Sequence, residues 1–401
     1  MLGLLAPATA CGDGEPVPAV AAVVLRDSAG IRIVENTGPE WPADSGWTIG
    51  ESPRVTIGLV DGEEPYLLDR VAGAVLNRDG LIVIANSGTA ELRFFDGSGR
   101  HIRTVGGQGG GPGEYRRPSH LMIGQGDTLL VWDAGISSVT FLEPDGTFIR
   151  RDPLEARRML DVIGWDYATE GLTPLPDGSF VLHAQPRGNP HELGTPPGVI
   201  FRPPVGFFRF SPDLARIDSL GWYDGLPQMY LMIDGQAVYA TTLVTTHARV
   251  AGGGDPLVIY AGNGDPYQIE MFDGADDLKR IIRRLTPPIP IPDSARQRLL
   301  AGRENWRDDP YGFRARMRRV EAAMPVQTYY PAYSFLFADR LGYLWVSGPV
   351  EPPSVFTPDG RWLGRVDLPG RLLDIGLNHA LVVTVDTLGI ERVHLYDLLR
   401  R

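Results

Sequence analysis

The chain repeats itself at a spacing of 47 residues, and that register restricts its fold more than any other feature of the sequence. The stretch Gly80–Gly88, continued through Leu92–Gly99, has its copy in Asp127–Gly135 and Val139–Gly146. In this alignment Asn86 falls on Asp133, Phe94 on Phe141 and Gly99 on Gly146. The second copy predicts strands over His120–Gly124, Thr128–Trp132, Ser138–Leu142 and Thr147–Arg151. Between them stand Gln125-Gly126-Asp127, Asp133-Ala134-Gly135 and Pro144-Asp145-Gly146, residue types that tolerate the positive φ of tight hairpins. Weaker copies pair Leu175–His183 with Gly206–Asp213, Leu257–Tyr260 with Gln268–Gly274, Asp339–Val346 with Ser354–Gly360, and Leu381–Asp386 with Arg392–Tyr396.

Six units of four short strands, at a period of this length, predict an all-β fold: a six-bladed β-propeller. A blade ring must close, because an open sheet edge is an aggregation hazard. Two leftover strands, Ile31–Glu35 and Arg54–Ile57, are candidates to complete the last blade. Residues 27–401 are read as a single propeller domain, with a small helical insertion between blades four and five over residues 293–323.

That insertion follows the stiff run Thr286–Asp293, rich in proline. Helices are expected from Ala295 to about Glu304 and from Tyr311 to Ala323, with Leu299, Leu300, Trp306, Phe313, Met317 and Val320 resting on the propeller. Eight arginines cluster there in a chain of net charge −11. Of these Arg296, Arg303, Arg314 and Arg318 are candidates for docking a protein partner; a solvated basic face is the plainer expectation. The acidic balance itself speaks against nucleic acid as a partner. A monomer is expected.

The run Gly106–Gly113, followed by Glu114, Tyr115 and Pro118, resembles the blade junction of NHL-type propellers. There a glycine-rich run, an acidic or Gln residue, an aromatic and a proline precede the next inner strand. The resemblance is good over Val71–Arg151 and loose beyond. The opening Asp27–Asn36 is similar to bacterial six-bladed propeller lipoproteins. What these resemblances imply is a fold and a location, and no reaction. As a phosphate loop the glycine run fails, since no Gly-Lys-Ser/Thr ends it.

Residues 1–26 read as the remnant of a signal peptide, a lipobox and a tether. Ala8-Thr9-Ala10-Cys11 resembles the bacterial lipobox, which implies lipidation of Cys11. The expected location is the cell envelope, facing the periplasm or the cell surface, with the membrane reached through that lipid alone. Cys11 is the sole cysteine, so neither an intrachain disulfide nor a cysteine-rich zinc site is available.

In a four-stranded meander, alternate connections share a face. One face therefore gathers the blade junctions and the loops between second and third strands. On it fall the candidate ligand residues Asn86, Tyr115, Arg116, Arg117 and Asp133, while His183 and His247 are candidates to face the channel. The bland alternative is that Asn86 and Asp133 hydrogen-bond turn backbone and that the histidines are structural. No catalytic constellation is legible: there is no His-Glu-x-x-His and no Gly-x-Ser-x-Gly. The sequence thus favours a binding or scaffold module, for a small molecule or a protein, with no cofactor. The alternative is a lactonase-like hydrolase or a lyase. Such an enzyme would hold a metal, Ca2+ by preference, among Asp and Asn at strand ends, although no spacing selects a ligand set.

Overall fold

The computed structural model describes residues 22–400 except 43–44, 165, 189, 193, 212, 214–216, 243, 245–246, 303–311 and 326. Cys11 and the lipobox, Arg303, Trp306 and Arg307 therefore lie outside the described residues.

Six antiparallel sheets form the blades of a propeller. Blade one comprises Val71–Leu76, Ile82–Asn86, Glu91–Phe95 and His101–Gly106; blade two, Pro118–Ile123, Leu129–Asp133, Ser138–Leu142 and Phe148–Pro153. Blade three holds Tyr167–Pro174, Phe180–Pro186, Pro204–Phe210 and Ile217–Asp224, and blade four Arg249–Gly253, Val258–Gly262, Gln268–Asp273 and Leu278–Arg284. Blade five is Phe335–Ala338, Leu344–Ser347, Ser354–Phe356 and Trp362–Arg365, and blade six opens with Arg371–Ile375, His379–Val385 and Glu391–Leu399. The strands expected in the second repeat unit lie within two residues of those found.

Apolar clusters fill the wedges between blades. Between blades one and two, for example, Phe94, Tyr115, Leu121 and Leu142 pack together. Between six and one, Ile57, Ile84, Phe95 and Leu381 do the same. Alternating side chains along each strand supply both faces of a blade, so every blade buries itself against two neighbours.

Of the two candidates for closure, Val55–Ile57 completes blade six, with Val55 opposite Leu395 and Ile57 opposite Val393. The strand Ile31–Asn36 goes elsewhere. It pairs in parallel with the outer strand of blade four, Val34 opposite Ile282, and carries Val23–Ser28 as a further antiparallel strand outside it. The physical reason is a buried lock at Asn36. Its side-chain amide donates to the carbonyls of Arg283 and Gly360, each at 3.0 Å, and its oxygen accepts from the Trp362 N–H at 2.8 Å. Gly360 must lack a side chain here, since a Cβ would stand 2.8 Å from Ile282. Between hairpin and closing strand the chain crosses blade five, where the N–H groups of Glu40 and Trp41 donate to Trp362 and Leu363.

Helix α1 (Ala156–Ile163) fills the junction between blades two and three. The insertion between blades four and five contains α2 (Asp293–Gly302) and α3 (Phe313–Ala323). A hairpin, Gln228–Ile233 with Gln236–Thr241, stands between blades three and four. Met317 and Val320 of α3 pack against this hairpin, on Met229, Ile233, Val238 and Ala240, and not on a blade as expected. Leu299 lies by Val244, Tyr330 and Pro349.

Strand alternation places the hairpin, all three helices and the loop 187–203 on one face of the ring, because each interrupts a blade junction or a second-to-third strand connection. The loop is tied to the hairpin by Gly198 N–H to Tyr230 O, by a bridge between Phe201 and Gln228, and by the Tyr230 hydroxyl to Thr195 O at 2.5 Å. These pieces build a cap over blades three to five.

Candidate ligand site in the central channel

The six inner strands surround a cavity of about 700 Å³. That volume lies in the range of pockets for small organic molecules. Small residues widen the wall on blade one, with Ala72 and Gly73, and on blade four, with Ala251, Gly252 and Gly253. Large apolar side chains come from elsewhere: Leu121 and Met122 from blade two, Phe335 and Phe337 from blade five, Leu372 from blade six.

Charge is distributed along the channel by strand direction. Arg249 and Arg371 are each the first residue of an inner strand, which puts both at the capped mouth. Arg371 donates from Nη2 to the carbonyl of Val71 at 2.7 Å, and the Val71 N–H donates to Glu391 at 2.7 Å. Burial lowers the pKa of Arg371, and the charge of Glu391 works against that. Arg249 has no carboxylate within salt-bridge distance among the described residues, and its Nε is buried without an acceptor. Burial depresses its pKa as well. An arginine keeps its proton regardless, so both remain cations.

Histidines flank these two. His183, on the second strand of blade three, reaches the channel opposite Gly171; a Cβ there would sit 3.3 Å from its Nδ1. Its Nε2 is 3.1 Å from Thr173 Oγ1, and its ring lies 4.7 Å from that of Phe207. Burial, and then the charges of His247 and Arg249, push its pKa down to about 4. Burial and Arg249 bring His247 down to about 4 as well. His120 opens onto the cavity, and desolvation by the surrounding protein lowers its pKa. At neutral pH these rings are uncharged donors and acceptors beside two fixed cations.

The far mouth holds an ion pair and a further carboxylate, Asp255. Asp374 meets Arg340 at 2.8 Å and the ring of His379 at 3.5 Å, and accepts from the Leu76 N–H at 3.2 Å. Burial alone would raise its pKa; the His379 hydrogen bond and the Arg340 charge outweigh burial and hold it below the usual carboxylate range. Asp177, also on the cavity wall, is paired with Arg209 at 2.6 Å. Among the described residues no three His, Cys, Asp or Glu side chains are grouped as metal ligands.

The residues singled out in the sequence are dispersed. His183 lines the channel, and His247 stands beside it. Arg116 and Arg117 are exposed on the capped face, away from the cavity. Asn86 and Asp133 are fully buried. Asn86 accepts from the Asp69 N–H at 2.8 Å; Asp133 accepts from the N–H groups of Arg116, Arg117 and Gly135. Tyr115 is buried as a wedge between blades, with Gly106 too close to its ring to carry a Cβ. The glycine loop carries its own anion: Glu114 accepts from the N–H groups of Gly110 and Gly111 at 3.1 and 2.9 Å. On the insertion, Arg296 bridges to Asp293 and to the Gln327 carbonyl, Arg314 is half-buried, and Arg318 is exposed. None of these helical arginines lines the channel.

Sequence reasoning did not single out Arg249, Arg371, Arg340 or Asp374. Their common signal is position, at the start or end of an inner strand, and it becomes visible only once the strands are placed.

Several solved structures are similar in fold. One is a Bacteroides fragilis protein conjectured to be exported, 13% identical, covering 92% of this chain and 99% of that one, with a TM-score of 0.47. Another is virginiamycin B lyase from Staphylococcus aureus, 11% identical over 87% of this chain and 88% of that one, at 0.37. A gluconolactonase from Xanthomonas campestris is 14% identical over 90% and 98%, also at 0.37. No curated protein sequence matches the chain. Residues 66–151, which span blade one and blade two, match the model of a family described as a 6-bladed beta-propeller.

Proposed function

We propose that the chain is a binding module of the cell envelope, lipid-anchored at Cys11, whose ligand is a small molecule seated at the capped mouth of the channel. The observation that carries the ligand site is Arg249, a channel cation with no carboxylate partner among the described residues and a buried Nε without an acceptor. Leaving a buried polar group unsatisfied costs roughly 1–3 kcal/mol, more when it is charged. A site that keeps such a group gains from a ligand that completes it. Channel acids do not supply the complement, since Asp374 and Asp177 face arginines of their own and Asp255 follows the end of the strand that Arg249 begins, at the opposite mouth.

The envelope location rests on the resemblance of Ala8-Thr9-Ala10-Cys11 to a lipobox and on the apolar run before it. Labelled palmitate should enter the full-length chain in a bacterial host and fail to enter Cys11→Ser. Equal labelling of both would remove the anchor. For the site, the test is native mass spectrometry after incubation with a small-molecule extract. We expect a one-to-one adduct on the wild type that is lost from Arg249→Gln. An adduct indifferent to Arg249 but lost from Arg318→Gln would move binding to the cap helices.

A further inference from the structure

The channel mouth also specifies the chemical class of its ligand, an inference that rests on the channel reading above. We infer that the ligand is a small organic acid: one carboxylate held between Arg249 and Arg371, with an apolar body lying along the aromatic and aliphatic wall.

The charge balance at the mouth argues for a single negative group. Of the two cations, Arg371 already donates to a backbone carbonyl and stands in the field of Glu391. Arg249 has neither kind of partner among the described residues. The local excess is thus close to one positive charge. A guanidinium presents paired N–H donors in a planar fork that matches a carboxylate, and the neutral ring of His120 adds a hydrogen-bonding group on the cavity wall. His183 and His247 sharpen the selection. Both are held neutral at ordinary pH, so they add no further charge that would call for a dianion.

The remainder of the wall fixes the body. Blade two lies opposite blade five across a six-fold ring, so Met122 lines one wall and Phe335 and Phe337 the other, while Leu121 turns into the wedge beside blade one. Phe335 is 44% exposed, apolar surface on the wall that a ligand would cover. The glycines of blade four leave room beside this slot. Below it the cavity ends on the Arg340–Asp374 ion pair and the carboxylate of Asp255, so no second acidic group is called for there.

The test is calorimetric titration at neutral pH with a panel of alkyl and aryl monocarboxylic acids, their matched primary amides, and inorganic phosphate. Acids should bind, with each amide about tenfold weaker or worse, the equivalent of losing one charge-assisted hydrogen bond. Arg249→Gln should lose at least about tenfold in affinity, and Arg249→Lys should keep part of it, since it retains charge without the fork. Phosphate should neither bind tightly nor compete. If Arg249→Gln does not fold, the lysine variant and the acid-to-amide ratio on wild type still decide the matter. Amides that bind as well as acids would overturn the class while leaving channel binding intact, because Phe337→Ala would still weaken both. Phosphate binding without the acids would show an anion site with no body, and would equally overturn it. If no acid binds and native mass spectrometry finds no adduct, the channel reading itself fails.

Discussion

The carboxylate of Asp133 accepts the backbone N–H of Arg116 at 2.6 Å, and the amide oxygen of Asn86 accepts that of Asp69 at 2.8 Å, the same distance back along the chain in consecutive blades. Each ends the second strand of its blade and pins the incoming junction to it. Asp133 does more, taking the N–H groups of Arg117 and Gly135 as well. Asp133→Ala leaves three backbone donors without an acceptor and should cost about 3–5 kcal/mol. Asn86→Ala should cost about 1–2 kcal/mol. Urea unfolding monitored by far-UV circular dichroism measures both. A ligand role for either residue would instead show as lost binding at unchanged stability.

Acid should destabilise the propeller through His183 and His247. Their pKa of about 4 in the fold lies below the ordinary value of 6.5, so between these limits the unfolded chain binds more protons. Their contribution is fully present above pH 6.5 and is lost as pH falls toward 4. Asp276 acts in the opposite sense. Burial raises its pKa to about 6, against the pull of Arg209, so it favours the fold as pH falls through that value. Melting temperature against pH should therefore fall more steeply below pH 6 in Asp276→Asn than in wild type, and flatten in His183→Gln.

The cap should be separable from the ring. Because α3 rests on the hairpin of residues 228–241, deleting residues 293–323 behind a short linker should leave the blade sheets folded. It should also uncover Met229, Ile233 and Val238, visible as a gain in dye binding to apolar surface. Loss of the cooperative melt would show that the helices belong to the core.

Much of this fold is legible in the sequence because blade interiors impose the same demands six times. The second and third strands and the turn after them carry the register: Asn86 with Asp133, Phe94 with Phe141, Gly99 with Gly146. The hairpin of the cap had a signal that went unused, Asp234-Gly235, both at positive φ between two apolar strands. The parallel docking of Ile31–Asn36 had none, since it depends on Asn36 meeting Gly360 and Trp362 more than 300 residues away. The site was obscured for a related reason. Its members come one or two at a time from inner strands in different blades, and their weak pattern, as in Arg249–Gly253, reflects a wall that faces a cavity on one side.

Removing the Arg249 cation should stabilise the ligand-free protein. Arg249→Met keeps much of the side-chain volume and abolishes a charge that lacks a carboxylate partner among the described residues, so the unliganded variant should be about 1–2 kcal/mol more stable than wild type. Thermal melts in ligand-free buffer check this. A variant destabilised by a comparable amount would make Arg249 a structural residue.

The capped mouth is proposed as a ligand site organised around Arg249. A crystal structure of the full-length protein, purified from a bacterial envelope fraction without exchange of its bound small molecules, tests it most directly. Electron density for one organic molecule is expected in the channel, with an oxygen in hydrogen-bonding distance of the Arg249 guanidinium. A channel holding only water, with Arg249 turned to a protein acceptor, would contradict it.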